Sequence, residues 1–146
     1  MTSQPTRRSF LKMATAGSSV AALTTDFMGT LPDVSGADAK LPPDAVQLSP
    51  EIEPLVRLIE RTDRAKLLES IGSRIRTGTS YQSVLAALML AGVRNVQPRP
   101  AVGFKFHAVL VVNAAHIASL ASPTQHRWLP IFWALDYFKS AQADDV

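Results

Sequence analysis

Cysteine is absent from this chain. That excludes disulfides, thiolate-held iron–sulfur clusters, haem attachment through CxxCH, a thiol nucleophile and a lipid anchor on an N-terminal cysteine. Charge is scarce: acidic and basic residues make up 18% of the sequence against 47% apolar residues, a balance that argues against disorder. The net charge is only +3, and setting aside residues 1–39 leaves 12 basic and 9 acidic side chains, scattered along the rest. No basic patch suits nucleic acid. GxSxG, GxGxxG, a Gly-rich phosphate loop, HxxxH, HExxH and glycosidase-like paired carboxylates are all missing, which disfavours a hydrolase of a common type. Long apolar runs are missing too. The N-terminal apolar stretch, Met13 to Leu23, is about 11 residues, against the roughly 20 that a membrane span needs.

Ahead of that stretch stands TRRSFLK, residues 6–12. Thr6, Arg7, Arg8, Phe10, Leu11 and Lys12 fill every defined position of Ser/Thr-Arg-Arg-x-Phe-Leu-Lys, so the segment resembles a twin-arginine (Tat) translocation signal. A cationic head before a short apolar region, diluted by Gly, Ser and Thr, has the physical form of a leader. Ala37 and Ala39 supply an Ala-x-Ala cleavage pattern, with Lys40 the expected first mature residue. Residues 1–39 are therefore expected to be an unstructured signal peptide, and an uncut one would act as a loose membrane anchor. The resemblance implies passage through the Tat translocase to the periplasm. Such substrates generally cross folded, often because a cofactor or an assembly must form first.

Residues 40–49, with Pro42 and Pro43, read as an extended lead-in. Residues 50–146 read as one helical domain. Ser49 and Pro50 start a helix with Ile52, Leu55, Val56 and Ile59 as its apolar stripe; Glu53–Arg57 and Glu60–Arg64 fall at i,i+4. Thr62 and Asp63 cap a second, facing inward with Leu67, Leu68, Ile71 and Ile75 and ending at Gly78. Thr79 with Gln82 forms a capping box for a third, ending at Gly92. Phe104 to Ala121 reads as one long helix. A last, aromatic helix carries Pro130, as a kink or a restart. The expected fold is all-α, with about five short-linked helices. The third and fourth are apolar on nearly every face. A core of that kind encloses a ligand or continues into a protein partner, a second copy or a C-terminal portion beyond Val146.

The candidate chemistry is sparse. His107, His116 and His126 are the only histidines, and nine residues on a helix turn the first two to opposite faces, so they share no metal. His107, among Phe104 and Phe106, is the candidate general base or axial ligand; its bland alternative is a hydrogen-bonded core histidine. His116 and Trp133 join it as candidate cofactor-binding residues, and His126 is expected at the surface. Asp136, between rings, is a candidate acid or base with the alternative of a surface ion pair to Lys139. Arg94, Asn95 and Arg99 could hold an anion. No metal site is expected, and the cofactor stays unidentified.

The stretches GTSYQSVLAALMLAGVRNVQPRP and VGFKFHAVLVVNAAHIASLASP resemble a family of uncharacterised twin-arginine-exported bacterial proteins, longer than this chain, and more distantly the questin oxidase-like group of all-α oxidoreductases. That resemblance implies an exported, oxidoreductase-related protein that binds a cofactor near His107. The residues themselves leave open a non-enzymatic helical module for binding a partner.

Overall fold

The computed structural model describes residues 25–40, 50–95 and 104–143. The described residues form seven α-helices and no strand: α1 (Thr25–Gly29), α2 (Gly36–Ala39), α3 (Glu53–Arg61), α4 (Arg64–Arg76), α5 (Tyr81–Asn95), α6 (Phe104–Ala121) and α7 (Trp128–Ala143), with 3₁₀ turns at Pro50–Ile52 and Thr124–His126. The all-α expectation holds. The five longer helices occupy the expected places, and the two extra ones lie where an unstructured leader was expected.

Local chemistry explains most of the boundaries. At the end of α4, Gly78 takes φ 105°, open to glycine without strain. Its N–H reaches the Ile75 carbonyl and that of Thr79 reaches Arg74, a Schellman closure. The next cap sits one residue later than expected: Ser80 Oγ accepts from the Ser83 N–H at 3.1 Å, and Gln82 donates instead to the Lys40 carbonyl at 3.2 Å. Gly92 does not end α5; it is buried within the helix, which continues to Asn95. Pro130 neither kinks nor restarts α7, because it lies in the first turn, where a missing N–H breaks no helical hydrogen bond.

Helices α5 and α7 sit at the centre; α5 packs on α3 and α6, and α7 packs on α4 and α6. Val56 and Ile59 of α3, Leu67, Ile71 and Ile75 of α4, Val84 and Leu88 of α5, and Ile131, Phe132, Leu135 and Phe138 of α7 form the shared core. Full burial of such a side chain contributes roughly 1.5–3 kcal/mol, so these contacts dominate the fold.

Residues 27–39 pack on that core, so the described part of the segment expected to be unstructured is folded. Phe27 meets Phe132 edge-on, with ring centroids 5.7 Å apart, while Leu31, Val34 and Ala39 are buried. Ser35 caps α2 through a box closed by Asp38. The physical reason is anchoring of the backbone. Trp128 Nε1 donates to the Pro32 carbonyl at 2.9 Å and Arg127 Nη1 to that of Val34 at 2.6 Å. The twin-arginine motif, Arg7, Arg8, Phe10, Leu11 and Lys12, lies outside the described residues.

Candidate functional site

The polar centre of the molecule is a joint between α5, α6 and the start of α7. Tyr81 opens α5, turned inward because Ser80 caps the helix just ahead of it. Its hydroxyl lies 3.0 Å from His116 Nδ1 on α6. Its ring packs on Trp128 at 5.3 Å. Ser119, one turn beyond His116, is fully buried and donates to the Arg127 carbonyl at 2.6 Å. Burial pushes the Tyr81 hydroxyl above its ordinary pKa and holds the His116 imidazole below its own. The joint therefore favours a neutral phenol against a neutral imidazole, joined by one hydrogen bond through which a proton could pass. Beside it a cavity of ≈ 290 Å³ is lined by Asp33, Asp38, Tyr81, Gln82 and Trp128 among others, but not by His116.

The structure separates the expected site residues. His107 stands in the first turn of α6, where side chains lie outside the described residues. His116 is placed, with Tyr81 as its partner. Trp133 does not join it: the ring is exposed on the outer side of α7 and stacks on Tyr137 at 5.6 Å. His126 is exposed, as expected. Ala37 is exposed, whereas Ala39 is fully buried.

Asp136 is buried, and its partner is not Lys139. Arg64 grips both carboxylate oxygens, Nε to Oδ1 at 2.8 Å and Nη2 to Oδ2 at 2.7 Å, and so ties the start of α4 to α7. Sequence reasoning placed Arg64 in an i,i+4 pair with Glu60; a bidentate match to a buried carboxylate is the stronger bond. Lys139 instead reaches back to the Ile59 and Glu60 carbonyls at 3.2 and 2.9 Å, placing an ammonium on the negative end of α3. Burial holds its pKa below the usual lysine range. Glu60 accepts from Asn95 at 2.8 Å. Arg94 is bound to Glu53 at 2.8 Å, so neither Arg94 nor Asn95 stands free for an anion, and Arg99 lies outside the described residues.

Reasoning from the sequence did not single out Tyr81 as a polar partner of His116. The signal was there: its phenol, seated on a buried stripe, needs a hydrogen-bond partner. The fourth helix of the sequence reading, α6, was expected to carry apolar surface beyond what one small core covers, and the structure locates that surface on one face. Leu110 and Ile117 are 60% and 57% exposed. Asn113, Ala114, Ala118, Leu120 and Ala121 share the face with them, and none of these described residues is charged. The side of α6 carrying Val112, Ala115 and Ser119 is buried.

Among the described residues there is no group of three or more potential metal ligands, and no helix is long and apolar enough to cross a membrane. No protein-family model, no curated protein and no solved structure matches the chain.

Proposed function

We propose that this protein is a twin-arginine-exported helical module that works by binding protein, through the outer face of α6, and that the occupant of that face is a second copy of the chain. The observation that carries the reading is the uncharged face itself. Soluble helices turn charge to water, and contiguous apolar surface marks contact sites. The candidate catalytic groups Asp136 and His116 already have internal partners in Arg64 and Tyr81.

The pattern on α6 fits itself. In an antiparallel pair centred between Ala115 and His116, Leu110 meets Ala121 of the other copy and Ala114 meets Ile117. Large side chains then face small ones along the seam, the complementarity that close packing and a two-fold axis require. No like charges oppose each other there. Folded export suits a pair that assembles before it crosses.

Sedimentation of the full chain tests the reading. The expected result is a dimer, at least 100-fold weakened by Ile117→Asp with helicity unchanged. A wild-type monomer overturns the second copy as occupant; a dimer indifferent to Ile117→Asp overturns α6 as the face. Export is tested separately: replacing Arg7 and Arg8 with Lys is expected to hold the protein in the cytoplasm.

A second reading, a cofactor-binding oxidoreductase, draws on the Tyr81–His116 pair, since a buried phenol on a neutral imidazole can move a proton together with an electron. A visible absorbance band in the exported protein, lost in His116→Ala or His107→Ala, supports it; a colourless protein opposes it.

A further inference from the structure

The structure assigns residues 27–40 to the mature protein: if the leader is removed, the cut falls at or before the Asp26–Phe27 bond and not between Ala39 and Lys40. This rests on the export reading above.

Three features of the Ala-x-Ala site oppose cleavage there in a folded chain. Ala39, whose methyl a leader peptidase would have to seat, is fully buried. The amide that would be cut is engaged, the Lys40 N–H donating to the Ala37 carbonyl at 3.2 Å. The carbonyl of Lys40 accepts from Gln82 at 3.2 Å. A peptidase reads an extended, accessible strand, whereas Gly36–Ala39 is a capped helical turn. A protein that crosses folded meets the enzyme in this state.

The rest of the molecule is built around the segment. A Cβ placed on Gly72, in the middle of α4, would come within 2.4 Å of the Phe27 ring. Glycine inside a helix is less favourable than alanine, because it has more backbone freedom to lose. Here it makes the room that Phe27 occupies, a compensation that would vanish with the segment. Cleavage after Ala39 would also take away the carbonyls of Pro32 and Val34 that receive Trp128 and Arg127. An indole N–H left unpaired in a core is destabilising. Arg76 adds a cation over the Phe27 ring at 5.7 Å and a hydrogen bond to Thr30 at 3.2 Å.

The test is the mass and N-terminal sequence of the full chain after expression in a bacterium with a working twin-arginine pathway. The exported species is expected to begin at or before Phe27. Ala37→Glu, which suits the first turn of α2 but puts a charge at the −3 position of the Ala39 site, is expected to leave its starting residue unchanged. A mature protein beginning at Lys40, or processing blocked by Ala37→Glu, overturns the inference. Amide hydrogen exchange of the purified full chain separates this from failure of the export reading. Peptides covering Phe27–Ala39 are expected to exchange at least 100-fold more slowly than an unstructured chain. Unprotected amides there overturn the inference; protected amides in a protein that is not exported overturn only the leader reading.

Discussion

The segment Phe27–Ala39 and the outer face of α6 are both soft and apolar in sequence, yet they end in opposite environments. The segment is short, broken by Pro32 and flanked by small residues, and its Leu31, Val34 and Ala39 are buried. Helix α6 is the long apolar element, and it leaves Leu110 and Ile117 mostly exposed. Hydrophobic content does not account for the difference. The segment offers carbonyls that buried donors on Arg127 and Trp128 need, and a ring that fits the gap at Gly72. Helices α5 and α7 occupy the inner side of α6, and among the described residues no such donor or gap is found on its far side.

The largest test of this contrast is Phe27→Ala. Loss of the contact with Phe132 is expected to destabilise the fold by about 3 kcal/mol, at the low end for a buried ring because Phe27 is half-buried. Urea unfolding measures it, and a change near zero would detach the segment from the cooperative unit. Next comes Gly72→Ala, expected to destabilise by about 1–2 kcal/mol through the clash with Phe27. In the Phe27→Ala background the sign should reverse, with the restored helix propensity stabilising by up to about 1 kcal/mol. A double-mutant cycle without that reversal would break the assigned fit. Trp128→Phe keeps a ring but leaves the Pro32 carbonyl without its donor, for an expected loss of about 1–2 kcal/mol.

A smaller effect concerns the inner side of α6. Burial lowers the folded pKa of His116, so the unfolded chain binds the proton more readily. Stability from this residue is fully present above its unfolded pKa near 6.5, and it declines as pH falls from there toward the lower folded value. Urea unfolding between pH 8 and pH 5 should show that slope, reduced in His116→Gln; an equal slope in both would exclude His116 as its source. Smallest of all is Ile117→Asp on the outer side, expected to change the stability of the single chain by less than about 0.5 kcal/mol. A larger loss at concentrations where the chain is monomeric would mean that the face is packed within the chain.

Much of the fold was legible because it rests on short-range rules. The stripes of α3 and α4, the glycine stop at Gly78 and the unbroken run of α6 follow from helical period and backbone geometry. The boundaries that slipped, Ser80 for Thr79 and Asn95 for Gly92, were those where a distant residue competed. Gln82 was drawn to Lys40, and Gly92 was held inside the helix by burial. The candidate site was less legible. Asp136 stood out as a carboxylate among rings, but its partner lies 72 residues away, beyond any i,i+4 rule. Tyr81 and His116, 35 residues apart, showed no shared pattern until α5 and α6 packed.

The sequence alone determined that this chain is helical, without disulfides and without the common hydrolase signatures. Those properties depend on residue type and on neighbours within a turn or two. Only the tertiary structure decided that Ala39 is buried in the core, that Arg64 rather than Lys139 pairs with Asp136, and that the exposed side of α6 is the one carrying Leu110 and Ile117. Burial and ion pairing depend on which distant groups arrive, and arrival is a property of packing that no local pattern encodes.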